Sequence, residues 1–287
     1  MKFIFYNENE YRLRAGWRIT LTTMLVISLL VIFSVLIPGQ TGVMVALAFI
    51  LIGVLWISAR VIDKRPFEDF GFTVSSAWFL DFFAGNIIAA LAMSGIVFVL
   101  MLSDQIVFSD TNFTFLEWGL FSGLISALVL MTAVSIWEEA YFRSYLITNL
   151  REGFLGRSGR EYTPVLAAVL VSSIIFGLAH ATNPHSSWIA LTNITIAGIV
   201  LAYPYIKTRS IAISVGMHLS WNYFQGMIFG FPVSGMKMEK SITTATVTGS
   251  EFITGAEFGP EGGIIGFLGL ILMAFLCYIY LILFYKK

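Results

Sequence analysis

The chain has 287 residues, of which 57% are hydrophobic and only 12% charged, with 17 acidic and 17 basic side chains that cancel to zero net charge. Soluble domains carry roughly 25% charged residues, and a mean hydropathy of +0.84 leaves more apolar surface than a soluble fold of this length can cover, so lipid must be the main solvent. The charge balance excludes a nucleic-acid partner, and the single cysteine, Cys277, excludes both an intramolecular disulfide and a cysteine-rich metal site.

Eight apolar runs approach the roughly 20 residues that a helix needs to cross a bilayer. They are Trp17–Ile37, Val43–Ile62, Trp78–Met101, Gly119–Tyr145, Pro164–Ala181, Trp188–Tyr205, Ile211–Phe231 and Ile264–Tyr285. The first run is expected to be a retained span and not a signal peptide, because no small-residue cleavage pattern follows it. No lipobox-like or C-terminal lipidation motif is evident. Between the fifth and sixth runs, Asn183-Pro184 is a turn signal, since proline breaks a helix and biases its predecessor away from helical angles. The expected fold is therefore all-α, a single polytopic membrane bundle over 1–287 with about eight transmembrane helices.

Basic residues give the orientation. Lys2, Arg12, Arg14 and Arg18 come before or at the start of the first run, and Arg60, Lys64 and Arg65 lie at the end of the second. Arg151, Arg157 and Arg160 follow the fourth, Lys207 and Arg209 the sixth, and Lys286 and Lys287 the eighth. The alternate loops 38–42, 102–118 and 182–187 hold no lysine or arginine. This alternation places both termini in the cytoplasm. It also makes 232–263 a long extracytoplasmic loop, either a plain surface connection or a lid or re-entrant segment.

Ionisable residues inside apolar runs are functional candidates, because each costs at least ~2.5–3.5 kcal/mol at the bilayer centre. The fourth run holds Glu138, Glu139 and Arg143. Glu139 and Arg143 are four apart and share a helix face, so they can pair. Glu138 points about 100° away and must meet another helix. Two helices offer partners: the fifth run ends in Phe176-Gly177-Leu178-Ala179-His180, and the seventh carries His218 and Asn222 four residues apart. At about 1.5 Å per residue, all four polar side chains fall at overlapping depths. Asp81 is expected at a helix start near the interface, His185 in solvent, and Asn193 as a supporting or helix-joining residue.

A glutamate beside a histidine in a dry pocket can take a proton from water, while a second histidine and an amide can donate to a developing oxyanion. Glu138 with His180, opposed by His218 with Asn222, suits peptide hydrolysis by activated water. No cofactor is needed for that chemistry. A zinc version with Glu138, His180 and His218 as ligands stays open, although His-Glu-x-x-His is absent. There is no Gly-x-Ser-x-Gly elbow and no intramembrane aspartate pair.

The order Glu138-Glu139-x-x-x-Arg143, Phe176-x-x-x-His180, His218-x-x-x-Asn222 resembles the three-part signature of the CAAX protease and bacteriocin-processing (CPBP) family, also called Abi or type 2 CAAX prenyl protease-like. The resemblance spans roughly 120–235, within a peptidase core expected over 115–235, and looks like a bacterial subgroup. It implies a helical intramembrane endopeptidase, with Glu138 and His180 activating water, His218 and Asn222 stabilising the oxyanion, and Glu139, Arg143 and Phe176 in support. Many members of that family are labelled metalloproteases. The expected location is a bacterial plasma membrane, with the bilayer and a peptide or protein substrate as partners. The competing readings are a non-enzymatic scaffold or bacteriocin-immunity protein and, more remotely, a proton-coupled transporter.

Overall fold

The computed structural model describes residues 2–8, 10–111, 118–155 and 162–285. Each of the eight apolar runs coincides with a helix. We label these α1 (Ala15–Leu36), α2 (Gln40–Ser58), α3 (Ser76–Leu102), α4 (Trp118–Glu138), α5 (Tyr162–Ala179), α6 (Trp188–Thr208), α7 (Ala212–Tyr223) and α8 (Ile264–Phe284). Three of them run on through a π turn, the wider helical form that closes i→i+5 bonds. These turns are Ala59–Asp63 after α2, Glu139–Leu146 after α4 and Phe224–Ile228 after α7; the α4 extension then resumes as Ile147–Leu155. Arg157, Arg160, Lys286, Lys287 and the expected boundary at 115 lie outside the described residues.

The fold is an all-α membrane bundle, and among the described residues fewer helices than the expected eight are of crossing length. Six segments are long and apolar enough to cross: Ala15–Leu36, Thr41–Asp63, Ser76–Leu102, Gly119–Leu155, Trp188–Thr208 and Ile264–Phe284. The apolar stretch Thr163–Ala179 of α5 is shorter. Helix α7 has 12 residues and is buried at every position from Ala212 to Asn222. A helix enclosed by other helices needs no lipid-facing stripe, which is why His218, Ser220 and Asn222 can sit in it.

Close helix packing fixes the depth of the polar residues. A Cβ at Gly216 on α7 would collide with the Phe82 carbonyl of α3, and one at Gly85 on α3 with the Ile213 carbonyl of α7. The two backbones therefore touch, as small residues allow in membrane bundles. Around this contact Met93, Ile96, Met217, Trp221, Met273 and Cys277 form the largest apolar core.

Loops from several helices gather in separate groups. At one end Arg18 pairs with Asp63 (3.0 Å) and Glu152 (2.8 Å), and Arg65 pairs with Glu152 (2.6 Å). Asp81 is there too, and it is not a helix-start residue facing an interface. It is buried, with Ser75 as the α3 cap, and it accepts hydrogen bonds from Tyr280 (2.7 Å) and Tyr285 of α8. At the opposite end two loop segments pair antiparallel as β1 (Ile106–Thr111) and β2 (Thr243–Val247), with Ile106 opposite Val247 and an irregularity between Ser109 and Thr111. A second small ladder joins Tyr6–Asn7 to Arg12–Leu13. Neither ladder has a sequence run long enough to announce it.

Candidate active site

Helix α4 delivers its two carboxylates where regular helix gives way to the π turn. Glu138 is the last α residue, and Glu139 opens the wider turn. π turns inside helices frequently mark functional positions. Glu139 is completely buried and forms the expected ion pair with Arg143, Oε2 to Nε at 3.1 Å. The guanidinium of Arg143 also lies 4.0 Å over the Phe176 ring, a favourable placement of a cation on a π face. Phe176 thus holds Arg143 from α5 and stands edge-on to His218, with ring centroids 6.3 Å apart.

His218 is the junction of the cluster. Its Nδ1–H donates to Glu139 Oε1 at 2.8 Å. A carboxylate paired with Arg143 accepts, so Nδ1 carries the proton of this bond. Nε2 faces Glu138 Oε2 at 3.7 Å, beyond hydrogen-bond range. That oxygen is buried without a hydrogen-bond partner among the described residues. A buried carboxylate oxygen in this state calls for an explanation, and a reacting group is one of the standard ones.

His180 is oriented by its own helix. Its Nδ1–H donates to the Phe176 carbonyl at 2.9 Å, one turn back. The last turn of a helix leaves carbonyls without partners, and His180 satisfies one of them. Its Nε2 remains an acceptor. The imidazole of His218, from α7, comes within 3.7 Å of Glu138, and His180 lines the same cavity. His185 is exposed, as expected, with φ +58° in the turn after α5.

Glu138, Phe176, His180, His218 and Asn222 line one cavity of about 260 Å³. Its remaining wall is largely apolar, including Trp137, Met131, Leu270 and Met273. Glu139 and Arg143 lie behind this wall and support it. The 232–263 connection is more than a surface loop, because Val233, Ser234, Met236, Met238 and Glu261 complete the cavity lining. Asn183 donates to the Ser234 carbonyl (3.1 Å), and Asn193 of α6 donates to the carbonyls of Glu261 (2.8 Å) and Gly263 (2.9 Å). Asn193 is therefore the fastener of this loop. Glu261 was not singled out from the sequence; it lies in a polar, glycine-rich stretch where a carboxylate carries no burial signal.

The zinc set weighed from the sequence does not fit this arrangement. Among the described residues no three histidine, cysteine, aspartate or glutamate side chains group closely enough to hold a metal ion. The Glu138–His218 approach, at 3.7 Å, is a pair and not a trio.

Residues 118–224 match the family model described as type II CAAX prenyl endopeptidase Rce1-like. Two Bacillus subtilis (strain 168) proteins are similar. One, named "Uncharacterized protein YyaK", is 29% identical over 188 residues, covering 59% of this chain and 54% of that protein. The other, named "Putative membrane peptidase YdiL", is 30% identical over 135 residues, covering 45% of this chain and 50% of that protein. The chain thus spans about half the length of the curated relatives it matches. No solved structure matches it. With six apolar helices of crossing length, this is a multi-pass integral membrane protein. Across the helices that hold its polar motifs it matches the Rce1-like model, which bears out the resemblance to the CPBP family.

Proposed function

We propose that this chain is an intramembrane endopeptidase, with residues 115–235 as its peptidase core inside one membrane unit. The observation that carries the reading is the Glu138 carboxylate, buried, with one oxygen free of hydrogen bonds, facing a mostly apolar cavity beside an imidazole that a second carboxylate orients. The Rce1-like match and the similarity to a protein named as a membrane peptidase agree with it.

In this mechanism a water molecule lies between Glu138 and the substrate carbonyl. Glu138 takes a proton from it as the water oxygen bonds to the carbonyl carbon, and the bare Nε2 of His180 accepts the water's other hydrogen. His218 enters the cycle as an imidazolium, its second proton drawn from solvent before the substrate binds and kept throughout, and donates from Nε2 to the oxyanion together with the Asn222 amide. The C–N bond then breaks, and Glu138 returns its proton to the leaving amine. Glu139 keeps the His218 ring in register, much as the buried aspartate of a serine-protease triad does for its histidine. Arg143 and Phe176 hold Glu139 in place.

The test compares membranes of cells carrying the natural chain with membranes of cells carrying Glu138→Gln, searching by mass spectrometry for peptides that change mass. Products that vanish in the variant, while the protein still inserts and keeps its helical spectrum, support the assignment. Cleavage that persists in Glu138→Gln overturns it. A phenotype that survives without any cleavage identifies a scaffold or immunity role instead.

A further inference from the structure

The cavity wall holds a second carboxylate that the proposed reaction does not use. Glu261 Oε2 accepts hydrogen bonds from the backbone N–H and hydroxyl of Ser234, both at 2.8 Å, and Oε1 accepts from Trp221 Nε1 at 3.2 Å. Three donors and no acceptor suit the ionised, acceptor-only form of a carboxylate. Glu138 contributes the other acid, buried to more than nine-tenths, with its unpartnered oxygen. Among the described residues that line the cavity there is no lysine or arginine. Arg143, the nearest buried cation, is committed to Glu139 and the Phe176 ring behind the wall.

The apolar part of the wall discriminates little by shape. Met44, Met131, Met217, Met236, Met238 and Met273 all line it. Methionine is flexible and polarizable, so surfaces rich in it adapt to varied apolar partners. Selection must then come mainly from charge. Two carboxylates in low-dielectric surroundings act over a longer range than they would in water. His218, the imidazolium of the proposed reaction, is engaged by Glu139 and the oxyanion, so a third anion brought beside Glu261 would be buried without a free counter-charge, which is strongly unfavourable.

We infer that Glu261 is a specificity-determining residue that makes the cavity reject a free chain-end carboxylate and accept an internal, apolar peptide segment with a basic residue near the cut. The inference rests on the peptidase reading and narrows its substrate class. It separates this chain from an enzyme that releases a short C-terminal peptide, whose cavity would have to accommodate a terminal carboxylate close to the reacting bond.

The experiment uses the full chain in lipid nanodiscs and a set of short apolar peptides, each made with a lysine, once with a free C-terminus and once as the C-terminal amide. Cleavage and binding are both measured. The natural chain favours the amides by at least about tenfold in kcat/KM, and Glu261→Gln reduces that ratio to within about threefold. Ser234→Ala removes a hydrogen bond from the same carboxylate without touching its charge, so it leaves the ratio in place. Equal use of acids and amides by the natural chain overturns the inference. So does a ratio that Glu261→Gln leaves unchanged, or one that Ser234→Ala collapses equally. If neither peptide form is cut but the amides still bind at least about tenfold more tightly, the peptidase reading fails and the selectivity stands. If neither is cut and both bind alike, or neither binds, both fail.

Discussion

Two clusters of buried charge sit in this bundle, and they are built on opposite principles. At the end of the bundle where α1 begins, Arg18 and Asp63 are buried almost completely, yet each charged group meets an opposite one: Arg18 with Asp63 and Glu152, Arg65 with Glu152, Arg12 with Glu152. Hydroxyls close the gaps, with Thr22 on Ser58 (2.6 Å) and Tyr145 on Thr22 (2.8 Å). Mid-chain, Glu138, Glu139, Arg143 and His218 also interlock, but there one Glu138 oxygen without a hydrogen bond belongs to a residue that lines the cavity. The first cluster also leaves buried atoms unbonded, the Nε of Arg18 and of Arg65, but none of its residues lines that cavity. The second opens an acceptor to the cavity, and that opening is why we assign the reaction to it. Buried charge alone does not separate function from structure; its access to a cavity does.

The sharpest way to break this comparison is to exchange the expected effects. Glu138→Gln should lower cleavage by about 10²–10⁴-fold, the usual contribution of a general base, and leave thermal unfolding in detergent almost unchanged. A variant that unfolds as readily as it loses activity would make Glu138 structural. Asp63→Ala should do the reverse. Removing one partner of a buried pair costs about 3–5 kcal/mol, and the lower end applies because Glu152 still holds Arg18. Unfolding midpoints report that loss, while the folded fraction should still cleave at close to the normal rate.

Glu139→Gln lies between the two, because Glu139 serves both pairing and orientation. Losing the anion leaves Arg143 buried and unpaired, so stability falls. A Gln amide pointing its NH₂ at Nδ1 also disfavours a proton there, so His218 offers the oxyanion a neutral Nε2–H in place of an imidazolium. A charged donor is roughly twice as strong as a neutral one, and its loss lowers cleavage about ten- to a hundredfold. Nitrogen-15 spectra of the imidazole, read beside cleavage rates, would show whether Nδ1 loses its proton as rate falls. Tyr280→Phe should cost only about 0.5–1.5 kcal/mol, one hydrogen bond to Asp81, with no effect on cleavage.

Much of this was legible in the sequence, for a physical reason. Charges are so costly in lipid that Glu138, Glu139 and Arg143 stand out against an apolar run, and four-residue spacing identifies the Glu139–Arg143 pair before any coordinates. The apolar runs likewise mark every long helix. Three things were hidden. A π turn leaves no periodicity signal, so the local geometry after Glu138 could not be read. Two histidines at similar depth cannot be ranked as partners of Glu138 until helix packing is known, and it was Gly85 and Gly216 that set the depth of α7. Glu152 and Glu261 fall at or beyond the ends of apolar runs, where a carboxylate has water available in the sequence reading and becomes conspicuous only after the chain folds over it.

The smallest expected effect is that of a chelator, and it tests the meaning of the unpartnered oxygen itself. An atom left without a hydrogen bond can be a base awaiting a water or a ligand awaiting a metal. Ligands converge: a catalytic zinc site takes three protein donors at about 2.0–2.2 Å for nitrogen and oxygen. Here no third donor joins Glu138 and His218 among the described residues. Dialysis of the nanodisc protein against EDTA and then 1,10-phenanthroline should therefore leave cleavage within about twofold, far from the 10²–10⁴-fold assigned to Glu138 as base. A loss beyond tenfold that added zinc restores would turn that oxygen into a ligand, and the two clusters would then differ by a missing cation and not by a poised base.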